Sequence, residues 1–138
     1  MSRIEGGCLC GAVRYRSGAE PVATAVCHCK HCQRQSGSAF SIIVGVPAAS
    51  LEFSGTALAA FDDRGASGGA VRRRFCPRCG SPIVSEVEAT PGLSWIKAGT
   101  LDDISWLKPA LHLWCDSAQP WVALDPAATK FARNMPAG

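Results

Sequence analysis

Apolar and polar residues alternate over short stretches along most of this chain, a pattern typical of half-buried β-strands. The clearest alternation is "GAVRYR" at 11–16, and "AFSIIVGV" at 39–46 is a β-branched run closed by Pro47, as expected of a more buried strand. Strands separated by turns at intervals of about ten residues predict an all-β domain. Further strands are predicted at 71–75, 82–87 and 93–99, and 51–55 and 57–61 are short apolar pieces.

The predicted loops and the C-terminal end complete this picture. The glycines and serine of "DDRGASGGA" at 62–70 indicate a loop, and a proline divides the segment 110–124 into two apolar pieces. The only helical candidate of any length is 125–135, which is either an N-capped terminal helix or a frayed tail.

The composition supports one packed domain over residues 1–138, with a C-terminal tail at 125–138. Hydrophobic residues make up 47% of the chain, which is enough for an ordinary core. Charged residues make up 18%, and no apolar run reaches the roughly 18 residues of a membrane span. The start, "MSRIEGGCLCGAV", lacks the charged-then-apolar pattern of a secretory signal, so we expect a cytoplasmic protein.

The eight cysteines change the picture most, because they must be disulfides, metal ligands or reactive thiols. Four disulfides are possible, but closely spaced cysteines in a cytoplasmic chain favour metal binding. The cysteines are Cys8, Cys10, Cys27, Cys29, Cys32, Cys76, Cys79 and Cys115.

"CPRCG" at 76–80 has the spacing of a zinc knuckle, in which both sulfurs turn toward one ion and the glycine can adopt positive φ. A structural zinc site needs four ligands, and "CLCG" at 8–11 is the best partner, because cysteines at i and i+2 share one face of an extended segment. The spacing therefore predicts a closed tetrathiolate of Cys8, Cys10, Cys76 and Cys79.

A second site is predicted at "CHCKHC", where Cys27, Cys29 and Cys32 can surround one ion. Three protein ligands with a vacant fourth position are the catalytic arrangement of zinc. The alternative is a closed, structural site. Its fourth ligand would be Cys115, His112, His28 or His31, although the last two are expected to point away from the metal.

An open site would carry out thiol or hydrolytic chemistry. A Zn²⁺ ion with three thiolates carries one negative charge, so cations such as Lys30 and Arg34 would help it accept an anionic ligand; solvated surface positions are the alternative. A thiol at the fourth position would lose its proton and become a nucleophile, whereas a bound hydroxide would be hydrolytic.

The net charge of +3 is weak support for a nucleic-acid partner. Seven zinc-bound thiolates remove seven charges and two Zn²⁺ ions add four, which brings the total to zero. The only dense basic run is "VRRRF" at 71–75, where Arg72 and Arg74 would share one strand face and Arg73 the other; a solvated face is favoured over an anion site.

Five motifs occur in order along the chain: "GGCLCGAVRY", "CHCKHCQRQSGSAF", "FCPRCGSPI", "GTLDD" and "HLWCDSAQPW". Together they resemble the glutathione-dependent formaldehyde-activating enzyme family, which also includes the domain of centromere protein V. The resemblance covers about residues 5–121 and includes three separate cysteine motifs.

This resemblance implies a β-tent fold, with short antiparallel strands held together by two zinc ions. It implies a carbon–sulfur lyase running in reverse, in which glutathione or a related thiol adds to formaldehyde or a small aldehyde to give an S-hydroxymethyl adduct. Carried over by position, the structural ligands are Cys8, Cys10, Cys76 and Cys79 and the catalytic ligands are Cys27, Cys29 and Cys32.

The chain departs from the family pattern in two places. Seven residues precede Cys8, so we expect no glutathione contacts from an N-terminal extension, and Cys115 replaces an apolar residue. Cys115 is either buried and inert or a ligand that closes the second site. His112 and Trp114 are expected on one side of a strand; the four tryptophans either pack in the core or wall a pocket.

Two other functions stay open at the level of sequence. One is a non-catalytic zinc module that binds protein or nucleic acid, for which the triple arginine is the only support. The other is redox sensing or metal buffering by the thiols of Cys27, Cys29 and Cys32.

Overall fold

The strands and the helix were located in a computed structural model, which describes residues 4–134. The described part is mainly β-structure, which confirms the all-β prediction. Its elements in chain order are β1 (Ile4–Gly7), β2 (Val13–Ser17), β3 (Ala23–Cys27), α1 (Lys30–Ser36), β4 (Ser41–Pro47), β5 (Leu51–Gly55), β6 (Ala59–Arg64), β7 (Ala70–Phe75), β8 (Pro82–Val87), β9 (Leu93–Lys97), β10 (Leu111–Leu113) and β11 (Thr129–Lys130).

The strands form two sheets. The small sheet has the order β1-β2-β5, and the large sheet has the order β11-β10-β3-β4-β9-β8-β7-β6. Neighbouring strands are antiparallel, as predicted, except that β10 runs parallel to both β3 and β11.

The main core lies between the two sheets. Ile4 and Tyr15 of the small sheet pack against Val44 and Ile96 in the centre of the large sheet, and all four side chains are at most 3% exposed. Each buried aliphatic side chain contributes roughly 1.5–3 kcal/mol relative to an exposed one. The core therefore covers one face of the large sheet, and its opposite face carries other residues, which are described below.

The C-terminal helix candidate at 125–135 is wrong within the described residues. Thr129–Lys130 forms an edge strand instead, because the backbone N–H of Thr129 donates to the carbonyl of Ala110 at 3.0 Å and that of Phe131 to the carbonyl of His112 at 2.9 Å. These bonds replace the local ones that a helix would form. Residue 135 lies outside the described part of the chain.

Two further segments differ from expectation. The predicted loop at 62–70 is shorter, because β6 continues to Arg64 and β7 starts at Ala70, and the paired strands extend to both ends of the turn. Of the two apolar pieces expected at 110–124, the structure forms a strand only at Leu111–Leu113. Within residues 4–134, no helix has the length and apolar character required to cross a bilayer.

Tyr15 provides a test of this core, because it is the single tyrosine of the chain. Burial raises the pKa of its phenol to about 12, although the hydrogen bond with Thr100 Oγ1 at 2.7 Å opposes the shift. Because the folded pKa exceeds the unfolded value of about 10, its contribution to stability is complete below about pH 10 and is lost as the pH rises through about 12.

We therefore expect an ultraviolet absorbance titration to give a phenol midpoint near pH 12 in the folded protein. The same titration in denaturant should give a midpoint of about 10. A midpoint near the denatured value in the folded protein would contradict the packing of Tyr15 between the sheets.

Candidate metal centres

The first cluster contains four cysteine sulfurs: Cys8, Cys10, Cys76 and Cys79 have ligand atoms within 4.8 Å of one another. The sulfurs of Cys8 and Cys10 are 3.6 Å apart, and those of Cys10 and Cys76 are 3.8 Å apart. Four thiolates at such distances fit the donor set of a structural zinc site. The structure thus brings together the four residues that the spacing paired.

Two glycine turns shape this cluster. Gly11 and Gly80 both have a φ of 79°, and Gly80 donates its backbone N–H to the carbonyl of Cys76 at 2.8 Å, as the knuckle motif predicted. Backbone amides also donate to the sulfurs, from Val13 to Cys8 at 3.3 Å and from Arg78 to Cys76 at 3.4 Å. Such amides stabilise thiolates, the form that binds metal.

The Cys79 sulfur is predisposed to ionise. The hydroxyl of Ser81 lies 3.2 Å from Cys79 Sγ, and hydrogen bonds from the side chain and backbone of Ser81 lower the pKa of Cys79 to about 5. The backbone N–H of Leu9 donates to the same hydroxyl at 3.0 Å. Ser81 therefore connects the turn that carries Cys8 and Cys10 with the turn between β7 and β8.

The second cluster contains Cys27, Cys29 and Cys32, whose sulfurs also lie within 4.8 Å of one another. Cys27 is the last residue of β3, Cys29 is the N-cap of α1, and Cys32 lies in the first turn of that helix. The Cys29 sulfur accepts the backbone N–H of Cys32 at 3.3 Å. All three side chains are at most 8% exposed, so this cluster is more deeply buried than the first.

The other proposed ligands lie outside this group within residues 4–134. His28 Nε2 is 2.9 Å from His112 Nδ1, and His31 Nδ1 is 2.9 Å from Asp63 Oδ2. These contacts agree with the expectation that His28 and His31 turn away from the ligands. Cys115 is half-buried, and its Sγ donates to the carbonyl of His112 at 3.6 Å.

Two buried cations lie on the same sheet face as Cys27, and neither was predicted as a site residue. Lys97 is 7% exposed and donates from Nζ to Ser41 Oγ at 2.9 Å. Arg73 is 5% exposed and donates from Nε to Asp63 Oδ2 at 3.1 Å. The only signal in the sequence was strand alternation, which places the side chain of Arg73 on the opposite strand face from those of Arg72 and Arg74.

These cations affect the sulfurs electrostatically. Hydrogen bonds from Cys27 and Cys29 lower the pKa of Cys32, burial opposes this, and the charges of Lys97 and Arg73 lower it further. The cluster therefore favours ionisation of one sulfur, that of Cys32, even before a metal is considered.

A family model for the glutathione-dependent formaldehyde-activating enzymes matches residues 3–117. This chain belongs to that family. Both cysteine clusters lie within the matched segment, and this agrees with the resemblance found in the five sequence motifs. A search of curated protein sequences found no significant match.

A solved structure supports the fold of this family member. The crystal structure of a Rhodobacter sphaeroides protein is similar to it, with a TM-score of 0.59 and 20% sequence identity. The similar region covers 74% of this chain and 91% of the other chain. At this level of identity the similarity concerns the fold alone.

In this family member the triple arginine does not form a free basic patch. Arg72 Nε lies 3.9 Å from Asp62, Arg73 is paired with Asp63, and Arg74 Nη1 lies 3.0 Å from Glu86. Each arginine therefore has an acidic partner, and the support that the sequence lent to a nucleic-acid module is weaker. The expected alternation is confirmed, since Arg73 is buried and Arg72 is exposed.

Lys30 and Arg34, the two ligand-binding candidates, are on α1 and line an open cavity of about 540 Å³. Gln33 and Gln119 line the same cavity, and Gln119 Nε2 donates to Gln33 Oε1 at 3.1 Å. Because Gln33 follows Cys32 directly, this cavity adjoins the segment that carries the second cluster.

The tryptophans of this family member have different environments. Trp95 packs over Gly45, and Trp95 and Trp114 are buried, whereas Trp106 is half-buried and Trp121 is 73% exposed. The expectation that His112 and Trp114 share a strand face is wrong. β10 ends at Leu113, and Trp114 follows with a left-handed φ of 58°.

Proposed function

We propose that this chain is a zinc-dependent carbon–sulfur lyase that joins a glutathione-like thiol to formaldehyde or a small aldehyde, giving an S-hydroxymethyl adduct. The observation that carries the proposal is the three-sulfur cluster, which within residues 4–134 has no fourth cysteine, histidine or carboxylate in its group. Three ligands and a vacant position are the arrangement of catalytic zinc. The family match supports the choice of thiol and aldehyde.

The two clusters would hold zinc in different roles. Cys8, Cys10, Cys76 and Cys79 would complete a tetrahedral structural site, whereas Cys27, Cys29 and Cys32 would hold the catalytic ion. When bound there, Zn²⁺ supplies a Lewis-acid position at which a thiol is more acidic than in water.

The residues around the second cluster favour a negatively charged sulfur. The cluster is buried, so interactions between charges are stronger there than at the surface. The positive charges of Lys97 and Arg73 act on this region, as their effect on the pKa of Cys32 indicates. This environment stabilises a thiolate at the place where the reaction needs one.

The reaction itself is an addition. An electron pair of the thiolate sulfur forms the new bond to the aldehyde carbon, and the π electrons of the carbonyl move onto oxygen. That oxygen takes a proton from water, which replaces the proton that the thiol released. Because the addition has no leaving group, the contribution of the protein is to hold the thiolate and the aldehyde next to each other.

The cavity beside α1 is suited to the polar part of the thiol. Glutathione carries two carboxylates and two peptide bonds, and the cavity offers the cations Lys30 and Arg34 and the amides of Gln33 and Gln119. Carboxylates bind to such exposed cations with modest energy, about 0.2–1 kcal/mol for each pair. The cavity would therefore select among thiols and would not perform the chemistry.

The direct test is the rate of adduct formation by nuclear magnetic resonance exchange spectroscopy with ¹³C-formaldehyde and glutathione. The zinc-loaded protein should exchange formaldehyde with the adduct faster than the spontaneous reaction, in proportion to protein concentration. Exchange at the spontaneous rate with fully loaded protein would refute the proposal.

A double variant, Lys30→Met with Arg34→Met, tests the role of the α1 cavity. We expect KM for glutathione to rise roughly 3- to 10-fold, with kcat and zinc content unchanged, because only exposed ion pairs are lost. The effect should shrink as salt is raised. N-acetylcysteamine, which has no carboxylate, is the matched control; an equal rise of its KM would contradict a carboxylate-binding role.

A further inference from the structure

Of the two buried Lys and Arg side chains in residues 4–134, Lys97 is the one that has no carboxylate partner. It is 7% exposed, and the one hydrogen-bond partner of its ammonium group within residues 4–134 is the neutral hydroxyl of Ser41. The other buried cation, Arg73, is paired with the carboxylate of Asp63. A buried ammonium group without an acidic partner is unfavourable unless another negative group is close.

The strand register identifies that negative group. Ser41 lies directly opposite Cys27 in the β3–β4 pair, and Lys97 lies opposite Ile43, two residues further along β4. Residues at i and i+2 of a strand share a face, so Cys27, Ser41 and Lys97 all project from one side of the large sheet. The hydrogen bond to Ser41 holds the ammonium group on the sheet face that carries Cys27.

The electrostatics agree with this placement. Burial lowers the pKa of Lys97, and Arg73 lowers it further, whereas the negative charges of Cys32, Cys27 and Cys29 raise it. The three cysteines are thus the groups that favour the charged form of Lys97.

From this geometry we infer that Lys97 makes the fourth position of the three-cysteine site selective for an anionic sulfur ligand over a neutral one, with Ser41 as its positioning residue. The inference rests on the proposed function, since it requires that position to be open. Three thiolates around Zn²⁺ leave one negative charge, and a fourth thiolate adds another. The positive ammonium group attracts the added negative charge of the thiolate, whereas it has no such interaction with a neutral ligand.

The expected size follows from the Coulomb interaction. Two opposite unit charges several Å apart, at the effective dielectric constant of a protein site, change a binding constant by roughly 10- to 100-fold. Removal of the Lys97 charge should therefore weaken thiolate binding by this factor and leave the affinity for a neutral ligand nearly unchanged.

The test uses protein in which Co²⁺ replaces zinc, because the visible spectrum of cobalt reports the ligands of each site. Glutathione serves as the anionic ligand and imidazole as the neutral one, and both are titrated into the native protein and Lys97→Met. Methionine keeps the apolar stem and removes the charge. Lys108→Met, a change at an exposed lysine, is the matched control.

We expect Lys97→Met to bind glutathione 10- to 100-fold more weakly, with the affinity for imidazole within about twofold of native. Lys108→Met should match the native protein in both titrations. Equal losses for both ligands would assign Lys97 a merely structural role, and unchanged glutathione affinity would also overturn the inference. If the spectrum of the native protein responds to imidazole but not to glutathione, the proposed thiol chemistry is wrong. The inference about Lys97 then loses its basis.

Folding of the variant must be separated from selectivity. The ammonium group of Lys97 has no carboxylate partner within residues 4–134, so Lys97→Met leaves no buried carboxylate unpaired. The variant should therefore keep two metal ions and a melting temperature close to native. If it does not, Ser41→Ala decides, because that variant keeps the charge but frees the ammonium group from its position. Weaker glutathione binding with unchanged imidazole binding supports the inference, and unchanged affinities for both overturn it.

Discussion

Replacement of Cys76 by serine is expected to unfold most of the protein and to release the zinc of the four-sulfur cluster. Cys76 is fully buried, and its cluster joins the turn after β1 to the turn between β7 and β8. In small zinc domains the binding free energy of a structural ion is about 10–16 kcal/mol and is available only to the folded state. Total free energies of unfolding are about 5–15 kcal/mol. The binding free energy that is lost with one zinc ligand is therefore large enough to unfold the protein.

Circular dichroism and metal analysis measure this effect. Cys115→Ser is the matched control, because Cys115 lies outside both cysteine groups of the described residues. We expect it to keep two zinc ions per chain and to change the free energy of unfolding by about 1 kcal/mol or less. A cooperatively folded Cys76→Ser protein that retains both ions would show that the four-sulfur cluster does not stabilise the fold.

Replacement of Cys29 by serine is expected to abolish catalysis while the fold is retained. The Cys29 sulfur belongs to the three-sulfur cluster and also caps α1 by accepting the backbone N–H of Cys32. Serine is among the best N-cap residues, so the helix keeps its cap while the metal loses a thiolate. The variant thus separates the proposed chemistry from local structure.

Zinc content should fall from two ions per chain to one, and the formaldehyde exchange rate should fall to the spontaneous value. Far-ultraviolet circular dichroism should remain native, and Cys115→Ser should retain both the second ion and the activity. An active Cys29→Ser protein that has lost one ion would move the chemistry away from this cluster. Loss of the whole fold in this variant would contradict the division of roles between the clusters.

The sequence predicted the parts of this molecule that depend on local spacing. Cysteines two or three positions apart can bind one ion whatever surrounds them, so the spacing identified the three cysteine motifs, and the need for four ligands then matched "CLCG" with "CPRCG". The strand Val13–Ser17 was located from its alternation, and Ser41–Pro47 from its run of β-branched residues. In each case neighbouring residues contain the information.

A short helix and a feature that depends on distant strand pairing were missed. α1 has only seven residues and is defined by its caps, Cys29 and Gly37, and has no apolar stripe that periodicity could detect. Lys97 is the last residue of β9, and its position on the same sheet face as Cys27 depends on the pairing of β9 with β4. Alternation gives the face of a side chain within a strand, but only the order of strands shows what lies beside it.

The central claim is that one cluster is a closed four-sulfur site and the other an open three-sulfur site that accepts a thiol. The most direct measurement is ¹¹³Cd nuclear magnetic resonance of the cadmium-substituted protein, because each site gives one resonance whose position depends on the number of sulfur ligands. We expect one tetrathiolate resonance that glutathione does not move and a second, three-sulfur resonance that shifts saturably toward the tetrathiolate position. Two tetrathiolate resonances that both ignore glutathione would contradict the account.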